Sequence, residues 1–471
     1  MVQALQHLKA LVCEFCKVDS YRTFNFTSGH LGAMPMTDEE FLCYFTKACL
    51  PQSLLIQYFI FGLSLVLPYK NYLILVRTLL RKHLSPPLGS KKSLTVLSLG
   101  DTCGFQDPYF GKLLLQTKQE FNYLKIVGGS QIRSSKYHFV EVALSSRLIL
   151  LAIFIAPVLQ LLFLFRLLQA YRQLKGGDKQ KLFVLLALSE INSGITLNQT
   201  IIVWALRRHI TQDTTLLYPL EGRNWEKNIV ARANRVNARS LGYLHCALTP
   251  RHLSLLHQGF LKKQEWPSML ITPGEMATTL LSKTHVGLNI RQGYFLRGNE
   301  NSSHNRQRRP YLLFALTGNI PESEEILRNI SVFAKSCNTA VVVRLNPNTS
   351  SISHLRSFTI GLGLSLYDPK EASLPQLCFF RSSSVAIDYL RNDVVPIYLD
   401  TGEFISTNIF NLDGKFSVES VKLDNTFCYN VTRLMIKYPL NLAFDGRRVS
   451  NYYLAQDFSS QDLSTLLNLN D

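Results

Sequence analysis

Apolar positions recur at helical spacing through the first ninety or so residues, with few of the alternating or continuous apolar runs that mark strands. Residues 1–92 are therefore predicted to form a mostly helical N-terminal extension. The pattern then changes. Lys92 to Gly100 (KSLTVLSLG) is an apolar strand opening into a loop, Asp101 to Tyr109, then a helix-like stretch, Phe110 to Phe121, and a second strand, Asn122 to Val127. Strand, loop, helix and strand in this order predict a parallel, doubly wound sheet. A long apolar run interrupts it, and the pattern resumes with Leu182 to Leu188, a helix around Thr200 to His209, a strand at Thr215 to Tyr218, a helix from Trp225 to Asn237 and a strand at Ser240 to His245.

A polar stretch, Glu300 to Arg309 (ENSSHNRQRR), separates this half from a second patterned region. There the expected order is strand Tyr311 to Ala315, helix Ser323 to Ser336, strand Ala340 to Leu345, a short helix or irregular segment at Ser351 to Ser357, and strand Gly361 to Leu366. Strand Leu377 to Phe380, helix Val385 to Arg391 and strand Val394 to Leu399 follow. The fold class is thus α/β, two doubly wound lobes with a helical N-terminal extension and an inserted apolar helix. The predicted divisions are an extension at 1–92, a first lobe at 93–299 carrying the apolar helix at 148–168, a linker at 300–309, a second lobe at 310–440 and a C-terminal tail at 441–471. Two such lobes face a crevice with the carboxyl ends of their strands, where α/β ligands bind.

Composition sharpens this. Charged residues are 18% of the 471, below the roughly 25% of ordinary soluble domains, yet the net charge is +17. Residues 1–300 hold 34 basic and 17 acidic side chains and residues 301–471 hold 16 of each, so the whole excess lies in the first part. A basic half suits nucleic acid, an anionic membrane face or an acidic or phosphorylated substrate. Nucleic acid is set aside because the cations form no tracts interleaved with aromatics and no helix-turn-helix, RNA-binding or zinc-finger signature occurs. The 9 cysteines are odd in number and scattered, which fits a reducing, cytoplasmic compartment. Cys13 and Cys16 form a C-x-x-C, but Cys43 and Cys49 have the wrong spacing to complete a zinc site, so no metal is expected.

Leu148 to Phe165 (LILLAIFIAPVLQLLFLF) is eighteen residues without a charge, bounded by Arg147 and by Arg166, Arg172 and Lys175. That length approaches a membrane span, but Pro157 and Gln160 lie in its middle and α/β patterns flank both ends. Leu54 to Leu67 is a second apolar stretch, followed by Tyr69, Tyr72, Arg77, Arg81 and Lys82. Apolar faces beside cations describe helices lying on an anionic bilayer surface, here the inner face of the plasma membrane.

Candidate chemistry falls at strand ends. In Leu377 to Leu390 (LCFFRSSSVAIDYL), Ser382, Ser383 and Ser384 start a helix behind a buried strand, where hydroxyls and free N–H groups can hold a phosphate or simply cap the helix. Strand 340–345 ends in Asn346-Pro347, and a residue before proline is forced into an extended conformation. In Leu216 to Ala231 (LLYPLEGRNWEKNIVA), Glu221 precedes the helix and is the candidate general base, with Arg223 and Trp225 on the acceptor side. Glu226, inside the helix, reads as an acid stabilising its N-terminus. His245 ends another strand, open to phosphate or ribose binding, base chemistry or a buried turn. Asp101, Asp107 and Tyr109 follow the first strand as acceptor-side candidates or turn formers. No P-loop, dinucleotide fingerprint, zinc-protease or nucleophile-elbow motif is present.

The order Asp-x5-Asp-x-Tyr-Phe-Gly, YPLEGRNWEKN, LGYLHCAL, a strand ending in x-Pro, then SSSVAIDYL with VPIYL resembles bacterial two-lobed, Rossmann-like (GT-B) glycosyltransferases of lipopolysaccharide and capsule biosynthesis. More distantly it is similar to capsule and polysialic-acid enzymes that use CMP-activated sugars. In those an acidic-Gly motif supplies the base, matched by Glu221-Gly222, and a Ser-Ser pair completes the phosphate site, matched by Ser383-Ser384. Their His-Pro phosphate contact is replaced by Asn346-Pro347, which leaves a different donor, compensation by Arg344 or Arg381, or reduced activity as readings. The resemblance spans roughly residues 93 to 400. It implies a metal-independent, inverting transferase with a nucleotide-sugar donor, a saccharide or lipid-linked acceptor and no further cofactor. A CDP-alcohol glycerophosphotransferase and a non-catalytic, membrane-associated protein derived from a transferase stand as alternatives.

Overall fold

The computed structural model describes residues 93–98, 109–110, 121–125, 137–141, 209–220, 224–248, 253–256, 263–294, 307–317, 320–337, 339–346, 352–368, 373–381, 385–402, 408–440, 442 and 445–455, with individual helical positions between 62 and 73, 150 and 165, and 203 and 207. Seven strands form the first sheet: β1 Ser93–Ser98, β2 Phe121–Lys125, β3 Tyr137–Glu141, β4 Thr214–Pro219, β5 Arg239–Tyr243, β6 Met269–Thr272 and β7 Ile290–Gln292. Six form the second: β8 Tyr311–Ala315, β9 Ala340–Arg344, β10 Ser365–Leu366, β11 Leu377–Phe380, β12 Val395–Asp400 and β13 Ser420–Lys422. Every pairing in both sheets is parallel. The α-helices described from end to end are α1 Asn224–Arg235, α2 Leu253–Leu256, α3 Glu275–Thr284, α4 Ile320–Ser336, α5 Ile352–Gly361, α6 Val385–Arg391, α7 Phe427–Lys437 and α8 Gly446–Tyr453.

The strand orders are β3-β2-β1-β4-β5-β6-β7 and β10-β9-β8-β11-β12-β13. Both follow one rule. The first strand sits inside the sheet, the next two add on one side, and the chain then crosses to build outward on the other. Each lobe therefore has a switch point where the winding reverses, between β1 and β4 in the first and between β8 and β11 in the second. In sheets wound this way the carboxyl edge at the switch point is where a ligand crevice forms.

Burial on both faces explains the continuous apolar strands. All five residues of β8 and all four of β11 are buried, and Phe314 and Phe379 stack with centroids 4.6 Å apart. Alternate residues of the second sheet feed two cores. Leu312, Phe314, Val343 and Phe379 face α4, α5 and α7, while Leu313, Val342 and Cys378 face Tyr389 of α6. Helix α4 contributes Ile326, Leu327, Ile330 and Phe333 at the three-four spacing of one helical face.

Tyr311–Ala315, Leu377–Phe380 and Val385–Arg391 have the bounds the pattern predicts. Gly361 to Leu366 does not become the expected strand. Helix α5 runs to Gly361, Gly363 turns the chain at φ 76°, and two residues pair as β10. The segment beyond 440 is not merely a tail, because α8 packs against both α3 and α6. The end of the expected linker joins the second lobe, with Arg309 N–H donating to Leu374 O at 2.8 Å. Described positions between 62 and 73 and between 150 and 165 are helical; the rest of the N-terminal extension and Leu182 to Leu188 lie outside the described residues.

Candidate functional site

At the first switch point, β1 and β5 flank β4. Tyr109, beyond β1, meets His245, beyond β5, edge to face at 4.8 Å, so the two side chains join the connections on either side of β4. Phe110 packs on Tyr243 at 5.7 Å, and Tyr243 donates its hydroxyl to Tyr294 O at 3.0 Å. His245 is buried. The chain leaves β4 after Pro219 and Leu220, and α1 begins at Asn224. Glu221 and Arg223 fall between them and lie outside the described residues, as do Asp101, Asp107 and the Trp225 side chain. Glu226 occupies the first turn of α1 and is buried, the position of an acid that complements the helix dipole. Burial, aided by the Glu226 charge, holds the Tyr218 hydroxyl well above its usual pKa.

At the second switch point the chain leaves β8 through Leu316 and Thr317 into α4, and leaves β11 through Arg381 toward α6. Arg381 is wholly buried. Its Nε donates to Glu322 Oε1 at 2.5 Å and its Nη1 to Leu399 O at 3.2 Å and to the Tyr398 hydroxyl. Thr317 donates to Glu322 Oε2 at 3.3 Å, and Ser323 donates to Thr317 O at 3.2 Å. Arg381, a candidate phosphate contact at its strand end, ties the ends of β11 and β12 to the first turn of α4. Sequence position signalled its strand end. The carboxylate that claims it, Glu322, is far away in sequence and was not singled out.

Arg344 ends β9, half-buried, with its guanidinium carbon 5.2 Å from the Tyr367 ring centroid, and Asn346 follows, also half-buried. Pro347, Ser382, Ser383 and Ser384 lie outside the described residues, immediately beyond Asn346 and Arg381 in sequence.

A cavity of about 360 Å³ that the sequence did not announce lies at the seam of the lobes. Glu275, Gln292 and Tyr294 line it from the first lobe, Lys415 and Phe416 from the second, and Arg448 and Tyr452 from α8. Lys415 bonds Glu275 at 3.1 Å and stands 3.8 Å over the Tyr452 ring, so one side chain links three elements. Beside it the second lobe packs on α8 through aromatic rings: Phe410 lies edge-on against Tyr453 at 5.0 Å and against Phe380 at 5.7 Å.

No family model matches the chain, and no curated protein matches its sequence. Among solved structures it is similar to Staphylococcus aureus TarM in complex with fondaparinux, alpha-GlcNAc-glycerol and UDP, at 12% identity and TM-score 0.36 over 58% of each chain. Anabaena HepE in complex with UDP is 8% identical, with TM-score 0.40 over 80% of this chain and 98% of that one. A UDP-N-acetylglucosamine 2-epimerase is 11% identical, with TM-score 0.44 over 81% and 96%. The matched part thus spans little more than half of TarM.

Proposed function

We propose that this protein is a glycosyltransferase that moves a sugar from a nucleotide-sugar donor, CMP-linked in the reading closest to its motifs, to a surface-polysaccharide or lipid-linked acceptor. The observation that carries the reading is the coincidence of motif and topology. In sequence, Glu221 directly follows β4 at the β1–β4 switch point, where Tyr109 and His245 meet, and Ser382 to Ser384 directly follow β11 and Arg381 at the β8–β11 switch point. Two doubly wound sheets offer one crevice each, and the two motif groups divide between them.

In this reading Glu221 takes the proton from an acceptor hydroxyl. That oxygen bonds the anomeric carbon as the carbon–phosphate-oxygen bond breaks, and the nucleotide leaves as an anion held by Ser383 and Ser384. One displacement inverts the anomeric centre and asks for no metal. Arg344 and Asn346 contribute from the neighbouring strand end, with Arg381 fixing the frame, and Asp101, Asp107, Tyr109, Arg223 and Trp225 belong to the acceptor side. The basic first half suits attachment to the inner face of an anionic membrane, with no role for nucleic acid.

Thermal-shift screening with CMP, UDP and GDP species names the donor; no stabilisation by any of them counts against the reading. With that donor, Glu221→Ala is expected to lower kcat by roughly 10²–10⁴-fold. Ser384→Ala is expected to weaken nucleotide affinity instead. Full transfer by the first variant, or unchanged affinity in the second, removes the corresponding role.

A further inference from the structure

Leu150, Phe154, Val158, Leu161 and Phe165 recur at four, four, three and four residues, the repeat of one helical stripe, and all five are exposed, Phe154 to 77% and Phe165 to 67%. The same helix is anchored from its other side, where Ile155 packs on the core of the first lobe. Val66 and Leu73 are also exposed on a second helical stretch, whose Tyr69, on the same face, packs on that core. Single exposed hydrophobics are ordinary, but a continuous stripe of large ones is not.

The chain around both stretches says what covers them. Residues 54–92 hold six Lys and Arg and no acid, and residues 142–181 hold six Lys and Arg against one acid, Asp178. A second copy of this face would set these cations against their equals. Residues 1–53 carry four basic and five acidic side chains, a net charge of −1 that leaves the cations of the two stretches largely unbalanced. Among the described residues no helix is long and apolar enough to cross a membrane. The geometry points to an anionic lipid bilayer as the occupant, with the stripe seated at the headgroup boundary and the flanking cations on lipid phosphates. This deepens the functional reading by naming the surface on which the first lobe meets a lipid-linked acceptor, and it rests on that reading for the acceptor alone.

Co-sedimentation of the full chain with vesicles tests it. Binding to phosphatidylcholine vesicles containing phosphatidylglycerol is expected, with binding to pure phosphatidylcholine weaker by about tenfold or more and falling with salt. Phe154→Ser with Phe165→Ser, at exposed positions, is expected to leave the melting temperature unchanged and to weaken vesicle binding by about tenfold or more. Transfer to a water-soluble acceptor should be unchanged, so loss of lipid binding and failure of the enzymatic reading are separate results. Absence of vesicle binding overturns the proposal. So does equal binding by the double variant, a variant whose melting temperature falls because the face is covered within the chain, or self-association that the substitutions abolish without any effect of lipid.

Discussion

The guanidinium of Arg381 and the carboxylate of Glu322 are both withdrawn from water, so removing either leaves the other charge in surroundings that cannot solvate it. Arg381→Met is expected to lower the unfolding free energy in urea by about 3–5 kcal/mol, with the double variant Arg381→Met, Glu322→Met regaining most of the loss. A single variant as stable as the parent would refute this account of the pair. Cys378 shows burial acting on one group: its thiol, enclosed on β11, is pushed up to about 12. Iodoacetamide is expected to label the half-buried Cys246, Cys337 and Cys428 of the native protein long before Cys378, read by peptide mass spectrometry. The pH dependence follows from the raised value. Below about 9 the thiol is protonated whether folded or not; above it the unfolded chain ionises first, so stability falls as pH rises from 9.0 toward about 12. Sequence places Cys378 in an apolar strand and so predicts burial, but nothing local to Arg381, three residues on, announces that a distant carboxylate pairs with it.

Helix α8 binds the lobes through its C-terminal end. Ala455 N–H donates to Pro273 O at 2.8 Å, Arg391 Nη2 donates to Leu454 O at 2.6 Å, and a Cβ added to Gly274 would lie 2.5 Å from Tyr453 O. Gly274 is extended, so the requirement is space rather than a special backbone angle. Gly274→Ala must push backbone from backbone and is expected to cost about 1–3 kcal/mol, measured by chemical denaturation. An unchanged midpoint would show that the seam yields freely. Legibility varies for a related reason. Strands buried on both faces, such as β8 and β11, are written as continuous apolar runs and were read to the residue. Edge strand β7 (Ile290-Arg291-Gln292) is largely exposed and carries no such run. The Gly361–Leu366 run is apolar because it ends α5 against the core, with only its last two residues pairing as β10, and α7 and α8 carry no motif.

Across the whole molecule the lobes share one winding rule and divide the charge unequally. The Lys415–Glu275 bridge that spans their seam is half exposed, so solvent and salt screen it. Glu275→Gln is expected to change stability by less than about 1 kcal/mol, and still less at high salt. A larger loss in a urea titration would show that this bridge, rather than the packing of α8 against α3, holds the lobes together. Alternation of apolar runs and helical repeats determined the α/β class, the two lobes, most central strands and the charge asymmetry, because these are local or additive properties of the chain. Which strand lies beside which, where each winding reverses, that Glu322 takes Arg381, that α8 closes the seam around a cavity, and that one stripe of the helical positions between 150 and 165 faces outward were decided by tertiary structure. Each depends on the meeting of residues far apart in sequence, and no local pattern encodes the partner.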